Sequence, residues 1–252
     1  MAEVSWPELD EELARWRGAG QTADFWWRDD DATEPTAALQ RLLAMSQNTD
    51  VPLALAVIPL RAVPELFKEL KAAVLMHGTD HKNRAGPGEK KTEFAAAEPE
   101  AEAIERLAAA RERLARQAGA RFLPVLAPPW NRLKRSLAAR LSGAGVYGLS
   151  GYGARSAAEA APGLRQVNTH VDIVDWHGTR GFIGQEAALH LAIRHLAARR
   201  SGGADAGEPT GWLTHHAVHD AAAWDFLERL FERTRGRGAR WLHAGALFPS
   251  PA

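Results

Sequence analysis

The sequence predicts an α/β fold, namely a single-domain distorted (β/α) barrel with about seven parallel strands. Strand-like and helix-like segments alternate about seven or eight times along the chain, as in parallel sheets whose strands are joined by helices. The apolar run from Val51 to Leu60 is nearly continuous, which is typical of a strand buried on both faces. A length of 252 residues lies within the range in which such barrels form one domain. We therefore assign residues 1–252 to one domain, with the working face at the carboxyl ends of the strands.

The helices and strands follow one another in a regular order. Apolar residues recur at helical spacing from Trp6 to Trp16, Pro7 suits a first turn and Gly18 can end the helix, so a packing helix is predicted over residues 6–17. Further helices are expected at residues 37–45, 64–70, 98–117, 133–141, 186–199 and 221–234. Strands are expected at residues 25–27, 51–60, 72–76, 121–127, 145–149, 166–174, 211–214 and 240–243.

The segment at residues 82–97 interrupts this alternation. It is rich in Gly, Pro and Lys, and Phe94 is its only large apolar residue. This composition predicts a long exposed loop, which could act as a lid over the working face.

Composition excludes several classes of function. Hydrophobic residues make up 46% and charged residues 25%, as in an ordinary globular protein. Lys plus Arg and Asp plus Glu both number 31, so no net charge attracts nucleic acid. No apolar run is long enough to span a membrane, and the start of the sequence lacks signal-peptide features, so we expect a cytoplasmic protein. The chain has no cysteine, which leaves His and carboxylate as the usual metal ligands.

Three consecutive carboxylates, Asp29-Asp30-Asp31, follow the aromatic run at residues 25–27. Adjacent carboxylates repel one another unless a cation, an arginine or strong hydrogen-bond donors compensate them. A second polar cluster, His77-Gly78-Thr79-Asp80-His81, follows the strand predicted at residues 72–76, and its spacing brings two imidazoles to one side. Such a pair can also be two surface histidines, but with carboxylates at another strand end it indicates a metal site.

These two clusters resemble motifs of the metal-dependent polysaccharide deacetylases, also called carbohydrate esterase family four. The first motif of that family is Thr-Phe-Asp-Asp-Gly, and Arg28-Asp29-Asp30-Asp31-Ala32 matches it in register. The resemblance implies Asp30 as the catalytic base and Asp31 as a metal ligand. The second motif, His-Ser/Thr-x-x-His, implies His77 and His81 as further ligands of Zn²⁺ or another divalent ion.

A third stretch, Ala127-Pro128-Pro129-Trp130-Asn131-Arg132, resembles the Arg-x-Pro-Tyr-like motif of the family. Ala127 replaces the arginine that normally orients the base, so either Arg28 or Arg132 is expected to substitute for it. The resemblance implies that Trp130, Arg132 and Arg28 contribute to substrate binding.

The last two motifs of the resemblance lie near the C-terminus. Asp172-Ile173-Val174-Asp175-Trp176 matches Asp-x-x-Asp-Trp, and Leu213-Thr214-His215 matches the Leu-x-His-like motif. The resemblance implies Asp175 as the carboxylate that tunes the catalytic histidine, Trp176 as a wall of the substrate pocket and His215 as the general acid.

Two assignments stay open at this point. The register of the acidic triplet can move back by one residue, which would make Asp29 the base and Asp30 the ligand. The general acid can be His215 or the adjacent His216. No role is assigned to four further histidines, His170, His190, His195 and His243.

The resemblance implies a metal-dependent hydrolase that removes an acetyl or other acyl group from an N-acetylated sugar or glycan precursor. It also implies a carbohydrate or other small molecule as the partner, and the balanced charge disfavours nucleic acid. Two other functions stay open, which are hydrolysis of a non-sugar amide and glycan binding without catalysis. Ala127 at the position of the orienting arginine motivates the non-catalytic alternative.

Overall fold

A computed structural model describes residues 5–249, in which strands and helices alternate along most of the chain. The strands are β1 (Asp24–Ala32), β2 (Leu53–Val57), β3 (Ala73–His77), β4 (Phe122–Ala127), β5 (Gly148–Leu149), β6 (Glu159–Ala161), β7 (Leu164–Gln166), β8 (Val171–Asp172), β9 (Thr210–Thr214) and β10 (Arg240–Trp241). The helices are α1 (Trp6–Gly18), α2 (Ala37–Thr49), α3 (Glu100–Ala118), α4 (Arg135–Ala138), α5 (Gln185–Ser201), α6 (Ala221–Gly236) and α7 (Ala244–Leu247). The domain predicted over residues 1–252 includes residues 1–4 and 250–252, which lie outside the described residues.

The strands form one sheet in the order β6-β7-β5-β4-β3-β2-β1-β9-β8, and β10 pairs with β1. Every pair of strands is parallel except β6 with β7. The central strand, β1, has β2 on one side and β9 on the other, so the acidic triplet lies in the middle of the sheet.

The chain between β7 and β8 closes this sheet into a barrel. On one side, the amides of Val167 and Thr169 donate to the carbonyls of Leu149 and Gly151 at 3.1 and 3.0 Å. On the other side, the His170 amide donates to the carbonyl of Gly211, in β9, at 2.7 Å. Residues 164–172 therefore act as one strand of the barrel wall, between β5 and β9. With β1, β2, β3, β4, β5 and β9 it completes a seven-membered ring, which confirms the predicted distorted barrel.

Alternation of side chains along each strand separates two layers of core. In β2, Leu53, Leu55 and Val57 pack outward against the helices, whereas Ala54 and Ala56 belong to the small cluster inside the barrel. The inner cluster is built mostly from small residues because a barrel of seven strands encloses a narrow space.

The amino-terminal end of the barrel is filled by aromatic side chains. Trp26 lies inside the barrel and packs edge-on against Phe248, which directly follows α7. Its indole nitrogen donates to the carbonyl of Asn168 at 2.9 Å. A Cβ on Gly211 would lie 2.4 Å from that nitrogen, so the inward position of β9 beside Trp26 requires glycine.

The first helix packs against the outside of the barrel. Helix α1 buries Trp6, Leu9, Leu13 and Trp16, and Trp6 stacks on Phe226 of α6. The packing helix predicted at residues 6–17 is therefore confirmed. No helix within residues 5–249 is both long and apolar enough to cross a bilayer.

The structure corrects three local predictions. Residues 64–70 form only a short 3₁₀ turn at Pro64–Phe67, and the helix predicted at 133–141 is the single turn α4. The segment at residues 82–97 is not a freely exposed loop, because Glu93 and Phe94 are both fully buried. It folds back on itself, with the Arg84 amide donating to the carbonyl of Thr92 at 2.8 Å.

A buried group of polar side chains, His170, His195 and Glu208, lies toward the amino-terminal ends of β8 and β9. Their potential ligand atoms lie within 4.8 Å of one another, but the hydrogen bonds disfavour a metal. The Gly211 amide donates to Nδ1 of His170 at 3.0 Å, so a neutral His170 carries its proton on Nε2, which faces Glu208 at 3.3 Å. The rings of His170 and His195 are stacked 3.5 Å apart, so the lone pairs of the two rings do not converge on one ion.

The burial of His195 predicts acid sensitivity of the fold. Burial and the neighbouring His170 lower the pKa of His195 from 6.5 to about 2 in the folded protein. The unfolded chain takes up this proton near pH 6.5 and the folded chain does not, so stability is complete above pH 6.5 and falls as the pH falls. Between pH 7.5 and pH 5.5 this one group should cost about 1.4 kcal/mol of unfolding free energy.

Urea unfolding of His195→Gln at these two pH values tests this prediction, and the loss of stability on acidification should be smaller than in the parent protein by about that amount. His190→Gln, at an exposed position of the same helix, is the matched control and should keep the parent's pH dependence. An unchanged pH dependence in His195→Gln would contradict the prediction.

Candidate active site

A cleft of about 290 Å³ opens at the carboxyl ends of the strands, on the barrel face predicted to be the working one. Its volume is at the low end of small-molecule sites, which span about 300–1,000 Å³, so it fits a small group rather than an extended chain. The lining residues come from the ends of five different strands of the barrel. They are Asp30, Asp31, His77, His81, Trp130, Asn131, Arg132, Asp172, Trp176, His177 and His215.

Three potential metal ligands converge on one side of this cleft. Oδ1 of Asp31 lies 3.2 Å from Nε2 of His77 and 3.3 Å from Nε2 of His81. Two ligands of a tetrahedral zinc ion lie roughly 3.3 Å apart when each bond is about 2.0 Å long. Oδ1 of Asp31 is buried and has no hydrogen-bond partner, which is costly unless a cation contacts it. The donor set therefore fits Zn²⁺ or a similar divalent ion.

Hydrogen bonding and charge prepare two of these groups for ligation. Nδ1 of His77 lies 3.0 Å from the carbonyl of Ala127, so it carries the proton and leaves Nε2 with a free lone pair toward Asp31. Burial alone would raise the pKa of Asp31, but the surrounding histidines, His77, His215 and His81, hold it below its usual range. Asp31 is thus ionised at neutral pH, as a ligand must be.

Arg28 holds the neighbouring Asp30 from inside the barrel. Its Nε donates to Oδ1 of Asp30 at 2.8 Å and its Nη2 donates to Oδ2 at 3.0 Å, a bidentate pair. The remaining donors reach the carbonyl and hydroxyl of Ser150, at 2.7 and 2.6 Å, and Oδ1 of Asn131, at 2.9 Å. Arg28 is fully buried, so the prediction that it binds substrate is wrong. Of the two arginines expected to substitute for the missing one, Arg28 is the one that contacts Asp30.

Asp29 points to the opposite side of β1, toward the helices. It is fully buried and pairs with His216, whose Nδ1 lies 2.5 Å from Oδ1. The hydroxyl of Thr214 and the amide of His216 donate to Oδ2 at 2.7 and 2.9 Å. Burial opposes ionisation of both groups, yet each stabilises the other's charge, so the pKa of Asp29 is lowered and that of His216 is raised. The ambiguous pair Asp29 and His216 thus lies behind the cleft, not in it.

His215 faces the cleft from the end of β9. Its Nδ1 lies 4.0 Å from Oδ1 of Asp172, and the ring of Trp176 packs edge-on against it with centroids 4.7 Å apart. The indole nitrogen of Trp176 donates to Oδ2 of Asp172 at 2.8 Å, which fixes that carboxylate. Burial raises the pKa of Asp172.

Asp175, the carboxylate assigned to this histidine from the sequence, lies elsewhere. Its two oxygens accept hydrogen bonds from the amides of Gly178 and Thr179 at 2.9 and 3.1 Å, so it caps a turn in its own loop. It does not line the cleft. The structure therefore corrects the assignment, because Asp172 is the carboxylate beside His215.

The remaining predicted substrate contacts lie around the rim of the cleft. Trp130 packs against His81 with ring centroids 4.5 Å apart, and Trp176 is 40% exposed, so both present aromatic surface to a ligand. Arg132 also lines the cleft, and its Nη1 donates to the carbonyl of Lys91 at 2.7 Å, away from Asp30. Sequence reasoning missed His177 as a lining residue, although it directly follows Trp176.

Backbone strain is concentrated in this cleft. Asp31, His81, Trp130 and Asn131 all have positive φ, between 54° and 73°, a region that residues other than glycine rarely adopt. Each is a lining residue. Strain of this kind persists only where surrounding contacts hold it, and it is typical of ligand-binding and catalytic sites.

Comparison with known proteins agrees with this geometry at the level of the fold. Neither a protein-family model nor a curated protein matches the sequence. Among solved structures, a polysaccharide deacetylase-like protein from Mycobacterium smegmatis is 16% identical, covers 98% of this chain and 92% of its own, and superimposes with a TM-score of 0.61. A family 4 carbohydrate esterase from Streptomyces lividans is 16% identical, with coverage of 86% and 91% and a TM-score of 0.55. A chitin deacetylase from Colletotrichum lindemuthianum is 15% identical, with coverage of 92% and 89% and a TM-score of 0.55.

The chain has the polysaccharide deacetylase fold. In each comparison the similarity covers at least 86% of both chains. It therefore extends to the whole barrel and is not confined to one motif. The convergence of Asp31, His77 and His81 is observed in the structure of this chain and does not depend on the comparison.

The metal-site geometry yields a direct prediction. We expect the purified protein to bind one divalent ion, and Asp31→Ala, His77→Ala and His81→Ala each to lose stoichiometric binding, because a site with one open position needs all three protein ligands. Elemental analysis after dialysis measures the occupancy, and circular dichroism checks the fold. His177→Ala, which changes an exposed lining residue outside the ligand set, should keep the metal. Full occupancy in both His77→Ala and His81→Ala would refute the assignment.

Proposed function

We propose that the chain is a divergent member of carbohydrate esterase family four, a metal-dependent hydrolase that removes an acetyl group from the nitrogen of an N-acetylated sugar or glycan precursor. The observation that carries the proposal is the convergence of Asp31, His77 and His81 in one cleft with Asp30 and His215. The deacetylase fold supports it, since structures with this fold include a chitin deacetylase and a family 4 carbohydrate esterase.

The reaction requires a nucleophile, a base and an acid. Water adds to the acyl carbon and the carbon–nitrogen bond breaks, which gives acetate and a free amine. A divalent ion held by Asp31, His77 and His81 would supply Lewis-acid polarisation at this centre. Asp30 accepts the proton that the attacking water loses, and His215 donates a proton to the leaving nitrogen.

Arg28 acts on this reaction through Asp30. The two parallel hydrogen bonds fix the carboxylate plane of Asp30, and the guanidinium charge compensates a carboxylate that is almost fully buried. Arg28 is therefore a positioning residue for the base. Ala127 points into the barrel and leaves that interior free of a second long side chain.

Asp172 and Trp176 act on His215. The carboxylate of Asp172 is oriented by the Trp176 indole and lies 4.0 Å from Nδ1 of His215, so it faces the side of the ring opposite the nitrogen that would serve the leaving group. Trp176 and Trp130 flank the cleft and suit the apolar faces of a sugar ring.

The alternatives from the sequence differ in how the contacts support them. Non-catalytic glycan binding was suggested by Ala127, which stands where an arginine is expected to orient the base. Because Arg28 orients Asp30 through two hydrogen bonds, Ala127 no longer favours that alternative. Hydrolysis of a non-sugar amide would use the same residues. Acetate release from N-acetylglucosamine oligomers, compared with release from linear and cyclic small amides, separates the two substrate classes.

The roles within the acidic triplet can be tested with matched substitutions. Asp30→Asn should lower the rate of acetate release by about 10²–10⁴-fold with metal still bound, because the amide cannot accept the proton. Asp29→Asn should instead lower the thermal stability, because it breaks a buried pair with His216, and should leave most of the turnover in the folded protein. Loss of turnover in Asp29→Asn with metal retained, together with loss of metal in Asp30→Asn, would move the register back by one residue.

A second pair of substitutions tests the partner of His215. Asp172→Asn should lower turnover by about 10²-fold or more, because it removes the carboxylate beside the general acid. Asp175→Asn should leave turnover close to the parent value, since Asp175 only caps a turn. Steady-state acetate release under substrate saturation measures both. Equal losses in the two variants, or a larger loss in Asp175→Asn, would restore the assignment made from the sequence.

A further inference from the structure

The carboxylate of Glu93 lies directly against the loop that carries the candidate ligand histidines, which we name the ligand loop (residues 77–81). Oε1 of Glu93 accepts hydrogen bonds from the Thr79 amide at 2.8 Å, from the Asp80 amide at 3.3 Å and from the Thr79 hydroxyl. Oε2 accepts from the His81 amide at 3.2 Å. Four donors from three successive residues thus converge on one carboxylate that is fully buried.

The ligand loop has a conformation that needs such support. Gly78 and His81 both have positive φ, 62° and 57°, and for His81 this backbone region is strained. A Cβ on Gly78 would lie 2.0 Å from Oε2 of Glu93 and 2.7 Å from Cγ of Pro129. The carboxylate is therefore packed against the loop backbone itself, with no room for a side chain between them.

Burying the carboxylate of Glu93 costs free energy, because the charge is removed from water. Glu93 has no bidentate arginine partner, and the nearest guanidinium nitrogen, Nη1 of Arg84, lies 3.9 Å away and is hydrogen-bonded to Asp80. The ligand-loop amides themselves compensate the charge of Glu93. Its hydrogen bonds consequently depend on the loop conformation, and the loop conformation depends on them.

We propose that Glu93 is the positioning residue of the metal site. It fixes the amides of Thr79, Asp80 and His81 so that His81, in its strained conformation, presents Nε2 beside Oδ1 of Asp31. The inference rests on the proposed function, because it assumes that these residues bind a divalent ion. It also gives the segment at residues 82–97 a role, since this segment supplies a buried anion to the metal site.

Glu93→Gln tests the proposal, because it keeps the size but removes the charge and places an NH₂ group against amide donors. The dissociation constant for Zn²⁺, measured by chelator competition, should rise about 10–100-fold, as for other groups that orient metal ligands. Amide hydrogen exchange at Thr79, Asp80 and His81 should become faster in the metal-free protein. Glu89→Gln is the matched control in the same segment, since exposed Glu89 accepts only from the Gly86 amide, and both quantities should stay at the parent values.

Thr79→Val is the second variant and serves if Glu93→Gln does not fold. It removes the hydroxyl donor to Glu93, and with it the acceptor for Nε of Arg106 at 3.3 Å, but keeps the three amide donors, so a smaller rise of the zinc dissociation constant is expected. Unchanged zinc affinity and unchanged amide exchange in the folded variants would overturn the proposal. If the parent protein binds no zinc, the proposed function fails separately, and amide exchange in the metal-free proteins still decides whether Glu93 orders the ligand loop.

Discussion

The separate compensation of three adjacent carboxylates is the constraint on which the site depends. Asp29, Asp30 and Asp31 would repel one another strongly in a barrel wall if they shared one environment. The three side chains instead point in different directions. Asp29 pairs with His216, Asp30 pairs with Arg28, and Asp31 contacts the ligand loop. Only Asp31 keeps a buried oxygen without a protein partner. The first two pairs fix the strand end, and the third leaves a position that a cation can fill.

The two-residue period of the strands decides which side chains of β1 face the cleft as far as Asp30, whereas Asp31, with φ 73°, departs from the period and also turns into the cleft. On β1, Trp26, Arg28 and Asp30 share the inner face, whereas Trp27 and Asp29 share the outer one. The same alternation on β9 turns His215 inward, because Trp212 and Thr214 face outward. This period could have excluded Asp29 and His216 from the cleft, although it does not place Asp31 there. The small residues Ala54, Ala56 and Gly211 mark the inner face in the sequence.

Contacts between segments distant in sequence were the part that the sequence could not predict. Strand–helix alternation was enough for the barrel, and polar residues at strand ends were enough to bring Asp31, His77 and His81 together. Asp172 and Asp175 could not be distinguished, because only the pairing of β8 with β9 places Asp172 beside His215. Glu93 was hidden for a similar reason. The composition of its segment is that of an exposed loop, and its burial arises from hydrogen bonds to the ligand loop.

Anomalous diffraction from crystals of the zinc-loaded protein locates the metal without reference to activity. We expect a zinc peak bonded to Oδ1 or Oδ2 of Asp31 and to Nε2 of His77 and His81, with bonds of about 2.0–2.2 Å. We expect no peak at His170, His195 and Glu208, where the amide of Gly211 donates to Nδ1 of His170. A peak at that buried group, or density without zinc between Asp31 and the two histidines, would contradict the account.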